Sequence, residues 1–130
     1  PALFSSCQIP PGSIDMQRNV SLRDLVYIFK VRKLIKQIKP DIVYAHSSKA
    51  GVIARIADIG LKNKIIYNPH GWAFNMRCTT YKRLFYAFIE KVCSHLCDKI
   101  VCVSDSEKLS ALRWHICKDC KIRVIYNGID

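Results

Sequence analysis

Asp41-Ile-Val-Tyr-Ala-His46 and Lys64-Ile-Ile-Tyr-Asn-Pro-His70 share one build. Each is a short β-branched run that stops at a histidine and passes into a polar, glycine-containing turn: Ser47-Ser48-Lys49-Ala50-Gly51 after the first, Gly71 after the second. Apolar runs of this length, separated by helical patterns, read as parallel strands joined by crossover helices. In an open α/β sheet, ligands bind in the crevice beyond the carboxyl ends of the strands. Both histidines therefore belong to one rim, and that rim is the candidate site.

Working outward, Ser21 with Asp24 three residues on opens a helix that Pro40 ends. Its apolar residues Leu22, Leu25, Val26, Phe29, Leu34, Ile35 and Ile38 are expected to face the core. Lys30, Arg32, Lys33, Lys36 and Lys39 are expected to form a basic outer side. A second helix is expected over about 50–59, stopping at Gly60, and a third over about 81–96 with Leu84, Phe85, Phe88, Val92 and Leu96 buried. Strands are expected at Ile42–Ala45, Lys64–Asn68, Lys99–Val103 and Arg123–Tyr126. Between the last two, Ser104 and Glu107 begin a helix that reaches about Trp114. The first residues, with Pro10-Pro11-Gly12, read as a loop after a lost or partial strand at Ala2–Cys7. The alternation of strand and helix predicts an α/β fold with a doubly wound parallel, Rossmann-like sheet.

A length of 130 residues allows one domain at most. The opening Pro1-Ala-Leu-Phe lacks a leader pattern and suggests a fragment of something longer. With 21 Lys and Arg against 10 Asp and Glu, the charge of +11 favours anionic partners. Nucleic acid is one such class, but no zinc-finger spacing, aromatic ribonucleoprotein signature or recognition helix is present. The GxGxxG dinucleotide fingerprint and a response-regulator acidic cluster are missing too. Seven cysteines without a secretion signal fit free thiols in a reducing compartment. Cys117-Lys-Asp-Cys120 with His115 offers too few ligands for zinc, so no metal is expected; Cys93, Cys97 and Cys102 read as core positions.

At the rim, histidine suits proton transfer and hydrogen bonding near neutral pH. His70 follows a proline that keeps the chain extended and precedes Gly71, which admits a ligand close to the backbone. The segment from Ser47 to Gly51 leads into a helix N-terminus, where free N–H groups and Lys49 suit an anion; its glycine spacing is not that of a Walker loop.

Together the segments KPDIVYAHSSKAG, KIIYNPHGWAF, CDKIVCVSDSEK and KIRVIYNGID resemble, in order and spacing, the N-terminal domain of family-four glycosyltransferases. The resemblance runs from about Ser21 onward and implies one half of a GT-B architecture lacking its first strand. It further implies retaining transfer of a sugar from a nucleotide-sugar donor to a glycan or polyprenyl-phosphate-linked acceptor, in bacterial surface polysaccharide synthesis. His70 would be the catalytic residue, facing the transferred sugar. His46, Ser47, Ser48, Lys49, Gly51 and Gly71 would bind substrate on the acceptor side. Residues 127–130 would begin the interdomain linker. No cofactor is implied, because the nucleotide sugar is a substrate held mainly by the family's second domain. That domain has no counterpart here, so these residues alone are expected to be inactive. A cytoplasmic protein resting on the anionic inner membrane surface, without nucleic acid, completes the expectation.

Overall fold

The computed structural model describes residues 21–128. Four parallel strands, β1 (Ile42–His46), β2 (Lys64–Asn68), β3 (Lys99–Cys102) and β4 (Ile122–Val124), lie side by side in sequence order. Helix α1 (Arg23–Ile38) precedes β1, and α2 (Ser48–Ala57), α3 (Thr80–Cys93) and α4 (Asp105–Arg113) fill the three crossovers. This is the α/β, Rossmann-like class expected. The reversal of strand order that makes a sheet doubly wound does not fall among the described residues. The expected strand at Ala2–Cys7 also lies outside them, as do the last two residues of the 127–130 linker.

Right-handed crossovers that all advance in one direction place their helices on one face of the sheet. Burial agrees. Ala45, Tyr67, Ile100 and Ile122 stand in register across the four strands, and all belong to the core. Against them pack Ala54 of α2, Ala87 of α3 and Ala111 of α4, small side chains that let each helix sit close. On the opposite face Ile42 and Tyr44 remain exposed.

The helix faces differ from expectation. In α1, Leu22, Leu25, Val26, Phe29 and Ile38 are exposed, and Ile35 alone is fully buried. The inward side follows polar anchors instead. Arg32 Nη1 donates to the carbonyls of Ala57 and Ile59 at 2.8 and 2.7 Å, capping the end of α2, and Asp24 pairs with Lys49 at 2.8 Å. Ser21 does cap the first turn: its Oγ accepts from the Arg23 N–H at 3.0 Å while Asp24 accepts the Ser21 N–H at 3.0 Å. In α3, Leu84, Phe85, Phe88 and Val92 are exposed, and Leu96 is half-buried in a following 3₁₀ turn (Ser94–Leu96). The buried positions are Ala87, Glu90 and Cys93.

Glu90 turns inward because Arg55 is there to meet it. Arg55 is 0% exposed; its Nη2 donates to Glu90 Oε2 at 2.8 Å and its Nε to the Gly51 carbonyl at 2.9 Å. The guanidinium lies 3.9 Å over the Tyr67 ring, and the Tyr67 hydroxyl donates to Glu90 Oε1 at 2.8 Å. Burial works against the Arg55 charge, yet Glu90 and Tyr67 hold it above its usual pKa. Burial likewise pushes the Tyr67 phenol far up. The network clamps α2, α3 and β2 together.

The cysteines expected in the core are there: Cys93, Cys97 and Cys102 are buried. Burial, followed by Glu107, pushes the Cys102 thiol up to about 12, and burial pushes Cys117 up to about 11. Cys120 is exposed.

Two measurements check this packing. Glu90→Ala leaves a buried guanidinium without its counter-charge, and urea melts should show a loss of about 3–5 kcal/mol. In the folded protein at pH 8, iodoacetamide should modify Cys120 well before Cys93, Cys97 or Cys102, which should react only after denaturation.

Candidate functional site

His46 is the last residue of β1, and His70 lies two residues beyond β2. The parallel register pairs His46 with Asn68, so both chains leave the sheet at the same level. There the histidines meet directly. His46 Nδ1 and His70 Nε2 are 2.7 Å apart, with ring centroids 5.0 Å apart and planes inclined by 20°. One nitrogen donates and the other accepts, so the bond requires one of the two to be unprotonated.

The backbone here is held in unusual conformations. Ser47 has φ 69° and ψ 157°, a region used almost only by glycine, and His70 has φ 50°. Gly71, at φ 103°, holds a conformation that favours glycine, with open space where a Cβ would stand. Non-glycine residues in such regions cost about 1–3 kcal/mol each and persist where the surroundings fix them. The surroundings are visible. The Ser47 N–H donates to the Asn68 carbonyl at 3.0 Å, which carries the β1–β2 ladder one residue further. Beyond Gly71, Trp72 is buried, donates its indole N–H to the Glu107 carbonyl at 2.9 Å and stacks on buried Phe74. The turn is thus nailed to the core directly after the histidine.

The other expected site residues divide. Ser48 is the first residue of α2 and half-buried, beside the rim. Lys49 is drawn to Asp24, whose carboxyl that hydrogen bond holds below its usual value. Gly51 lies inside α2 against β2: a Cβ there would fall 2.2 Å from Tyr67 Cε2. Its smallness serves helix–sheet packing, because the Tyr67 ring is tethered through its hydroxyl and cannot swing aside. Ser104 acts as a helix cap, its Oγ accepting from the Glu107 N–H at 3.2 Å, while Glu107 accepts the Val103 N–H at 2.9 Å.

Two participants went unpredicted. Asn68 and Tyr44 both contact the histidines' frame, as set out below, and a buried polar residue closing an apolar strand was the available sign. Among the described residues, no group of three or more His, Cys, Asp or Glu could hold a metal ion. A hollow of about 810 Å³ lies at the other end of the sheet and is lined by Lys91, His95, His115 and Lys118 among others. Two more of its lysines, Lys99 and Lys121, are tied to the carbonyls of Cys120 and Ser94. The histidine rim, on the side where α/β sheets bind ligands, fits chemistry better.

A parallel four-stranded sheet with helices in every crossover places the chain among Rossmann-like α/β folds. The sequence model of Glycosyltransferase Family 4 matches residues 6–130, and the chain belongs to that family. It is 31% identical over 115 residues to the UDP-Gal:alpha-D-GlcNAc-diphosphoundecaprenol alpha-1,3-galactosyltransferase of Escherichia coli, covering 87% of this chain and 30% of that protein. It is 34% identical over 106 residues to the O-antigen biosynthesis glycosyltransferase WbnH of Escherichia coli, covering 82% and 31%. The fold superimposes on Anabaena Alr3699/HepE, solved with UDP and glucose, with a TM-score of 0.65 at 19% identity, over 99% of this chain and 34% of that one. The chain therefore spans about a third of the length of these relatives.

The histidine contact makes a direct prediction. In long-range ¹⁵N–¹H spectra the His70 ring should show one dominant tautomer at neutral pH, and His46→Ala should convert it to a mixture. An unchanged His70 spectrum would mean that the 2.7 Å contact does not set its tautomer.

Proposed function

We propose that this chain is the acceptor-side part of a glycosyltransferase that moves a sugar from a nucleotide-sugar donor to a lipid-linked or glycan acceptor, in the synthesis of a bacterial surface polysaccharide. The observation that carries the reading is the His46–His70 hydrogen bond at the rim, on a turn fixed from both sides. Family membership supplies the reaction class. The names of the relatives, a galactosyltransferase acting on a diphosphoundecaprenol-linked sugar and an O-antigen enzyme, support the acceptor class.

In this reading His70 faces the transferred sugar and donates a hydrogen bond to it as charge develops on the donor. His46 fixes the tautomer that lets it do so and, with Ser47 and Ser48, borders the acceptor. Gly71 leaves room for the sugar to approach the backbone. The nucleotide is held by the second domain typical of the family, with no metal or other cofactor.

A membrane-bound acceptor asks the enzyme to work at a lipid surface, and α1 suits that task. It exposes Leu22, Leu25, Val26 and Phe29 beside Lys30, Lys33, Lys36 and Lys39, an apolar-and-basic surface that matches an anionic leaflet. No helix among the described residues is long and apolar enough to cross a membrane. We assign it a peripheral place on the cytoplasmic face.

His70→Ala in the intact enzyme should leave the fold intact and lower turnover about 10²–10⁴-fold; retention of more than half the activity would reduce His70 to a turn residue. His46→Ala should act more mildly and mainly raise KM for the acceptor. For the membrane arm, Lys33, Lys36 and Lys39 changed to glutamine should weaken binding to anionic vesicles at low salt, leaving transfer to a soluble acceptor analogue unchanged. The attraction should fade as the screening length falls from about 10 Å at 0.1 M salt to about 3 Å at 1 M. Binding indifferent to salt and to these lysines would place the lipid contact elsewhere.

A further inference from the structure

Four residues at the rim close into a ring of contacts, one of them through the main chain. Asn68 Nδ2 donates to the Tyr44 hydroxyl at 3.1 Å, and Asn68 Oδ1 accepts the His70 N–H at 3.1 Å. His70 meets His46 at 2.7 Å, and the His46 ring lies 4.2 Å from the Tyr44 ring. Asn68 is the buried member, 4% exposed, while both histidines are exposed.

Asn68 also stands at the point where the chain needs holding. Pro69 fixes its own backbone angle and has no N–H to offer, so the first free N–H after the strand is that of His70. A side-chain carbonyl reaching the backbone two residues on is the standard way in which Asn stabilises a turn. An amide suits both neighbours, because one end accepts from His70 and the other donates to Tyr44. Leucine fills similar space and can do neither. Aspartate can still accept from His70 and can accept a hydrogen bond from the Tyr44 hydroxyl.

We propose that Asn68 is the positioning residue of this site: by accepting the His70 N–H it holds His70 in its left-handed conformation and so aims the imidazole at His46 and the substrate. The proposal rests on the reading of His70 given above and deepens it, since Asn68 itself touches no reacting atom. Tyr44 supports Asn68 from the neighbouring strand and matters less.

The test compares Asn68→Leu, Asn68→Asp and Tyr44→Phe in the intact transferase, with the turnover of the unsubstituted enzyme as reference. Misplacing a catalytic group by about 1 Å costs on the order of 10²-fold. Asn68→Leu should therefore lower kcat about 10²-fold with donor KM nearly unchanged. Asn68→Asp should restore kcat to within about tenfold of the parent, and Tyr44→Phe should stay closer still. The imidazole ¹⁵N signals provide a readout independent of activity: Asn68→Leu should mix the His70 tautomers, and Asn68→Asp should not. If Asn68→Leu does not fold, Asn68→Ala, which has no side-chain acceptor for the N–H, is read in the same way. Parental kcat and an unmixed His70 spectrum in Asn68→Leu or Asn68→Ala would overturn the proposal. So would equal losses in the leucine and aspartate variants. If His70→Ala itself keeps full turnover, the functional reading fails instead, while the imidazole spectra still decide whether Asn68 holds His70.

Discussion

The fold depends on one charge taken fully out of water. Arg55 sits beneath α2 with Glu90 opposite and the Tyr67 ring under its guanidinium. Burying an ion costs several kcal/mol unless its partner and its hydrogen bonds are well placed. That requirement fixes the rotation of α2 and α3 and the direction of Tyr67 on β2 at once. It also dictates Gly51, since no Cβ fits between α2 and the tethered tyrosine. Such a pair is a modest source of stability compared with apolar packing, but it admits one arrangement only.

The site inherits its precision from this arrangement. The same strand that carries Tyr67 continues to Asn68 and then to the histidine turn. The same helix that carries Arg55 begins immediately after Ser47. From the other side, Trp72 secures the turn to the segment that leads into β4 through α4. The rim is exposed and chemically free, whereas the elements that place it are locked in the core.

The strands and their parallel alternation with helices, though not their order across the sheet, were legible in the sequence, because parallel buried strands are short apolar runs between helical patterns. Both histidines were legible as rim residues for the same reason. The helix faces were not. Hydrophobic periodicity picked out Leu84, Phe85 and Phe88 on α3, and Phe29 on α1, all of which face outward. The true inner faces are marked by Glu90, Arg32 and Asp24, charged residues whose partners lie 35, 25 and 25 residues away in the chain. A one-dimensional pattern cannot see a counter-ion on another helix. The site was half-legible by the same logic: a lone histidine is visible as a residue type, but a bond between two of them depends on strand register. Asn68 was overlooked, although a polar residue closing an apolar strand before a proline marks it, because its role shows only where Pro69 leaves the His70 N–H as the first one to be met.

The two imidazoles sit 5.0 Å apart, close to the spacing of about 4.8 Å between neighbouring strands. The ladder sets the level at which both chains leave the sheet, and the Asn68 amide with buried Trp72 sets the turn that brings His70 back beside His46. Every residue of that frame lies in the ladder or under the surface, apart from the two imidazoles themselves. Substitutions elsewhere on the exposed rim can therefore change what it meets while the hydrogen-bonded pair keeps its spacing.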